Sequence, residues 1–171
     1  MCWIVLAFNN MLGLRVIWFL NKILTVFFYK VCYGRRLTLP LSTKIRFGFR
    51  MVIDNDNATV KIGKGCFFNN NCSINALCGI EIGDNVLFGE NVKVYDHNHK
   101  YSNPDVPIAN QGFSSAPIRI GSNCWIGSNV VILKGVTIGE HCVIGAGCII
   151  YKDVPAYTVL INKQAVICLH N

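Results

Sequence analysis

An all-β fold, a parallel β-helix of about four to five three-sided coils, is what the spacing of aliphatic and small residues predicts for most of this chain. From Arg119 to Tyr151, the residues Ile120, Ile126, Ile132, Ile138, Ile144 and Ile150 stand six apart, and Gly121, Gly127, Gly139 and Gly145 directly follow four of them. Four residues after each isoleucine comes a small apolar residue, in turn Cys124, Val130, Val136, Cys142, Cys148 and Val154. A period of six is neither the roughly 3.6 of a helix nor the two of a strand, so it marks a repeat.

A hexad with two inward side chains and one glycine suits a short extended segment ending in a bend, the glycine supplying backbone angles that a side chain opposes. Three such segments close a triangular turn of about eighteen residues, and stacked turns form parallel ladders about 4.8 Å apart. The isoleucine and Cys/Val positions then line a narrow dry core.

Taken in order, residues 1–36 form an apolar, basic helical segment. No uninterrupted apolar run reaches the ~18 residues of a spanning helix, because Asn9, Asn10, Arg15, Asn21 and Lys22 break it. On a helical wheel Asn10, Arg15, Asn21, Lys22 and Thr25 share one arc and leave a wide apolar face. That amphipathic pattern suits either a helix lying in a membrane interface or one covering the open end of the column. The segment lacks the basic start and small-residue cleavage site of a leader peptide. Residues 37–155 carry the repeat, faint at first, broken by the turn-forming Asp54-Asn55-Asp56-Asn57, and shifted by two residues between Cys78 and Ile82. After His99 the pattern stops, and residues 100–117, with three prolines, read as an extended loop of the functional kind. Residues 156–171 form a short apolar tail.

Apolar residues make up 52% and charged ones 15%, which excludes a disordered chain. Met1 to Ile53 holds eight Lys and Arg and no acid, so the net charge of +7 belongs to one end, and a nucleic-acid partner is not expected. Cys66, Cys72, Cys78, Cys124, Cys142 and Cys148 fall on the small inward position and read as buried hydrophobes; a thiol-rich core of this kind suits a reducing, cytoplasmic compartment. No C-x-x-C pair points to zinc, and no metal is expected.

Chemistry concentrates where coil gives way to loop, in Tyr95-Asp96-His97-Asn98-His99. An imidazole titrates near neutral pH and can take a proton from a hydroxyl, so His97 and His99 are candidate bases, with Asp96 or a backbone carbonyl orienting the ring.

The pattern I-G-x-x-x-W-I-G-x-x-x-x-I-x-x-G-V-x-I-G-x-x-x-V-I-G-A-G, here Ile120 to Gly147, resembles the hexapeptide-repeat O-acetyltransferases, among them galactoside, maltose and xenobiotic acetyltransferases and enzymes of bacterial surface polysaccharides. The resemblance covers about Ile62 to Val159 and implies a left-handed β-helix, a homotrimer with sites between subunits, and acetyl-CoA lying between coils. An ungapped register from Ile82-Gly83-Asp84-Asn85 prefers His99 to His97 as the base. In that register Asn69 falls beside the acceptor sugar, or else stabilises a corner. The resemblance makes Trp125 a wall of the site and places Gly127, Ser128 and Ala146 along the pantetheine arm, with Tyr151 and Lys152 toward the nucleotide. Beyond Pro155 the family's G-x-P-A segment and basic residues are missing, leaving Lys163 alone to meet phosphates.

The expected activity is acetyl transfer from acetyl-CoA to a sugar hydroxyl in surface-polysaccharide synthesis, by a cytoplasmic enzyme touching the inner membrane face through residues 1–36. No covalent intermediate is needed, because a thioester is already activated; the oxyanion donor is expected near Gly127 or Ser128. The alternatives are N-acetylation of an amino sugar or amine, a non-catalytic trimeric membrane scaffold, and a γ-type carbonic anhydrase, which the spacing of His97, His99 and His141 fits poorly.

Overall fold

The computed structural model describes residues 2–162. A helix, α1 (Cys2–Tyr33), and one 3-10 turn (Gly34–Arg36) lead into a left-handed column with three parallel faces. The first face stacks Leu37–Thr38, Thr59–Ile62, Gly79–Ile82, Ile118–Ile120 and Thr137–Ile138. The second stacks Lys44–Ile45, Phe67–Phe68, Leu87–Phe88, Trp125–Ile126, Val143–Ile144 and Val159–Leu160. The third stacks Arg50–Ile53, Ser73–Ala76, Lys93–Tyr95, Val131–Ile132 and Ile149–Ile150. The faces thus hold five, six and five strands, slightly more turns than the repeat alone predicts.

Register explains the sequence pattern. Trp125 pairs with Val143 and Val131 with Ile149, each eighteen residues on, so residues of one hexad phase stack directly. The six isoleucines and their Cys or Val companions are buried in one continuous core. Between the second and third faces a core ladder of Phe49, Phe68 and Phe88 runs up the axis, with centroids 5.0 and 4.5 Å apart.

The Ile-Gly glycines serve a different purpose from the one the sequence suggests. Gly121 and Gly127 are not in the left-handed region; that conformation belongs to residues two further on, Asn123 (φ 60°) and Asn129 (φ 59°). A Cβ on Gly127 would lie 2.7 Å from the backbone nitrogen of Ala146 in the next coil, and one on Gly121 would lie 2.7 Å from the Cα of Glu140. These glycines are required because consecutive corners touch backbone to backbone. Asparagine takes the strained position because its short polar side chain tolerates it.

Two further expectations need correction. Cys78 is exposed, not inward. The two extra residues lengthen the strands on either side to Ser73–Ala76 and Gly79–Ile82, whose alternation turns Ala76 and Ile80 inward and leaves Cys78 on the outside of the corner. The segment 100–117 is also not wholly a loop. Its far end, Phe113–Ser115, pairs antiparallel with His97–His99 just before it, so only the part between these strands protrudes.

α1 covers the first coil. Trp18, Lys22, Val26, Tyr29 and Tyr33 form one stripe at helical spacing, and Val26 is buried in the core cluster. The Arg46 guanidinium lies 4.1 Å over the Trp18 ring; the Tyr29 hydroxyl accepts from the Met51 N–H at 3.0 Å, and the Tyr33 hydroxyl donates to the Met51 carbonyl at 3.1 Å. The docked side therefore includes the polar arc, with Asn21, Lys22 and Thr25 half-buried, while Phe19, Leu20, Leu24, Phe27, Phe28 and Val31 point away. The side chains of Asn10 and Arg15 lie outside the described set.

Gly127→Ala forces the corner against Ala146 and is expected to destabilise the fold by about 1–3 kcal/mol. Gly13→Ala, in α1 with nothing within 4 Å, is expected to stabilise by up to about 1 kcal/mol. Thermal melts of the two variants beside the parent check both signs.

Candidate active site

At the corner between third and first faces the chain spends its one fully buried acid. Asp96 is 0% exposed and accepts four hydrogen bonds. Its Oδ1 takes the Leu77 N–H at 2.8 Å and faces His97 Nδ1 at 2.9 Å, while Oδ2 takes the N–H groups of Cys78 and Gly79 at 2.7 Å each. Three amides from the preceding coil donate to this carboxylate, so both of its oxygens serve as acceptors. His97 Nδ1 must therefore carry the hydrogen, which leaves Nε2 as a free acceptor. The His97 side chain keeps 21% of its surface exposed, enough to meet a substrate.

The stem positions this ring. Phe113 stands edge-on to His97 at 5.2 Å and also contacts the His99 ring at 4.5 Å, while the Ala116 N–H closes the corner on the Asp96 carbonyl. His99 is exposed and has no side-chain hydrogen bond among the described residues. Asp96 thus orients His97 and makes no contact with the ring of His99, the base that the register prefers. Phe113 was not legible in advance, since nothing in the sequence signals an antiparallel stem.

The other candidate residues lie elsewhere on the same subunit. Asn69, Gly127, Ser128 and Ala146 belong to the corner between second and third faces, and Trp125 is exposed on the second face between Leu87 and Val143. Tyr151 and Lys152 return to the His97 corner two coils further up, with Lys152 Nζ 5.7 Å from the Tyr151 ring centre. Lys163 lies outside the described residues. The Gly127 N–H donates to the Ile144 carbonyl at 2.8 Å and cannot serve an oxyanion, whereas the Ser128 N–H has no acceptor among the described residues. One chain brings Asp96 and His97 together but does not bring them to Trp125 or Ser128.

The third face adds a feature that alternation could have revealed. Lys93 and Tyr95 flank the buried Val94 and project outward from the third face, which ends at the bend of Asp96 just before His97. Below them a groove of about 460 Å³ is lined by Arg50, Asn71, Ser73, Asn75, Lys93 and Tyr95, with no acid among its residues. Arg50, Ser73 and Lys93 are stacked in register, and Lys93 Nζ donates to the Asn71 carbonyl at 2.9 Å.

None of the buried thiols is prepared for nucleophilic attack. Burial pushes the Cys66, Cys124 and Cys148 thiols up and that of Cys72 up to about 11. Among the described residues no three His, Cys, Asp or Glu side chains cluster as a ligand set.

Residues 117–152 match the family model for the bacterial transferase hexapeptide (six repeats), and residues 59–95 match the hexapeptide repeat of succinyl-transferase. The maltose O-acetyltransferase of Clostridium difficile superposes with a TM-score of 0.61 at 31% identity, over 78% of this chain and 69% of that one. The chain belongs to the hexapeptide-repeat acetyltransferases. A hexapeptide-repeat acetyltransferase of Vibrio cholerae, solved with acetyl coenzyme A, gives 0.60 at 30% identity over 69% of this chain and 66% of that one. A putative lipopolysaccharide biosynthesis O-acetyl transferase of Escherichia coli is 28% identical over 165 residues, 86% of this chain and 83% of its own. This hexapeptide-repeat protein spans only part of other curated relatives: the match covers 36% of a probable acetyltransferase of Mycobacterium tuberculosis and 50% of a putative one of Schizosaccharomyces pombe.

At neutral pH, iodoacetamide is expected to label Cys78 in the native protein and to spare Cys66, Cys72, Cys124, Cys142 and Cys148 until denaturant is added. Peptide mass mapping reads this directly, and native labelling of Cys72 would contradict the buried, protonated state assigned to it.

Proposed function

We propose that this protein transfers an acetyl group from acetyl-CoA to a hydroxyl of a glycan, with His97 as the general base. The observation that carries the reading is the Asp96–His97 pair, in which Nδ1 faces the buried carboxylate at 2.9 Å at the point where the column opens into the stem. Family membership and the acetyl coenzyme A bound to the Vibrio cholerae relative support the donor. The acceptor hydroxyl donates to His97 Nε2, loses its proton as its oxygen attacks the thioester carbonyl, and the C–S bond breaks as the tetrahedral oxyanion collapses. The imidazolium, stabilised by the Asp96 carboxylate, returns the proton to the departing thiolate. A chain of this family needs a neighbour to complete the site, since Trp125 and the unpaired Ser128 N–H lie on other surfaces; a homotrimer supplies both, the Ser128 amide serving the oxyanion.

The basic groove on the third face, whose lining reaches Tyr95 two residues before His97, supports an acceptor carrying a negative charge. Lys93, Tyr95 and Arg50 line this groove. The similarity to a lipopolysaccharide O-acetyl transferase supports a surface-glycan acceptor. An amine acceptor would use the same base, and is the second outcome of the assay.

Thiol release from acetyl-CoA with a panel of glycan acceptors tests the reading. His97→Ala is expected to lower kcat by about 10²–10⁴-fold, and His99→Ala by less than about tenfold. Equal losses, or a larger one at His99, would return the base to His99. Lys93→Ala is expected to raise KM for anionic acceptors by about tenfold with little change in kcat, the loss of one charged hydrogen bond. An unchanged KM would remove the groove from the acceptor site.

A further inference from the structure

α1 is docked the wrong way round for a helix in water. Its polar residues Asn21, Lys22 and Thr25 are half-buried toward the column, while Phe19, Leu20, Leu24, Phe27, Phe28 and Val31 are between 52% and 68% exposed. At about 100° per residue these apolar side chains sweep half the helix circumference. A contiguous face of this size marks a surface that something apolar covers. The stretch Val16–Arg36 is long and apolar enough to cross a membrane, but Val26, Tyr29 and Tyr33 are bound to the first coil, so the helix cannot be surrounded by lipid.

Charge selects among the occupants. Lys30 lies within the exposed face, Arg35 just beyond it is also exposed, and neither has an ion-pair partner among the described residues. Residues 1–53 hold eight Lys and Arg and no acid. A second copy seated on this face would oppose one basic segment with another, whereas an anionic lipid surface offers acyl chains to the phenylalanines and headgroups to the cations.

We infer that α1 is a membrane-docking surface: it lies flat in the interface of an anionic bilayer, Phe27 side down, with the column standing on the membrane by its first coil. The inference stands on the helix alone and holds whether or not the acceptor reading above is right.

The test is co-sedimentation of the full chain with vesicles of phosphatidylcholine alone and of phosphatidylcholine mixed with phosphatidylglycerol, with acetyl transfer to a soluble acceptor assayed in parallel. Binding to the mixed vesicles is expected, weaker on phosphatidylcholine alone and at high salt. The double variant Leu24→Glu/Phe27→Glu is expected to abolish binding, and Lys30→Glu/Arg35→Glu to weaken it by about tenfold or more. Both should keep the parent's melting temperature and its turnover of the soluble acceptor. A parent chain that stays in the supernatant with both vesicle types overturns the inference. So does binding that survives Leu24→Glu/Phe27→Glu. A variant that loses only its oligomeric state by light scattering would also overturn it, making the face a contact between copies.

Discussion

The whole structure depends on how closely one coil can approach the next. Parallel ladders need a separation of about 4.8 Å, and at the corners that spacing leaves no room for a Cβ at Gly121 or Gly127. Glycine there, asparagine at the left-handed position two residues later, and Ile with Cys or Val inside are three answers to one steric demand. Where the demand is met every six residues the chain closes a three-sided turn, and the core fills itself with stacked equivalents.

The same demand creates the site. Between Cys78 and Ile82 two additional residues break the hexad, and the amides of Leu77, Cys78 and Gly79 are left facing a point on the next coil. A buried carboxylate there satisfies all three and keeps one acceptor direction for an imidazole. Removing Asp96 would strand three buried donors as well as free the ring, so structural and chemical roles share one side chain. Neither role can be read from the corner alone, because the donors and the acceptor come from different turns.

That division explains what was legible beforehand. The solenoid could be read because an inward side chain must recur wherever a corner recurs, and the isoleucines from Ile120 to Ile150 announce it. The candidate region could be picked out because Asp96, His97 and His99 stand where the recurrence stops. Which imidazole Asp96 holds could not: counting from Ile82 measures distance along the chain, whereas Asp96 is set toward His97 through amides contributed by an irregular corner. Cys78 was misplaced for the same reason, since the phase shift that exposes it also builds the carboxylate's cradle. For α1 the wheel showed two unlike sides but not which would meet the protein. Tertiary contacts of Trp18, Tyr29 and Tyr33 decided that, against the simple expectation that apolar faces turn inward.

Because each turn adds the same increment along the axis, the column behaves as a ruler graduated in units of about 4.8 Å. The capped coil is its zero mark, and Asp96 sits a fixed number of graduations above it. Gain or loss of one whole turn below that point would raise or lower the imidazole without rotating it. Changes in turn number thus offer an evolving lineage a way to reset how far from the capped end that imidazole stands while leaving its local surroundings intact.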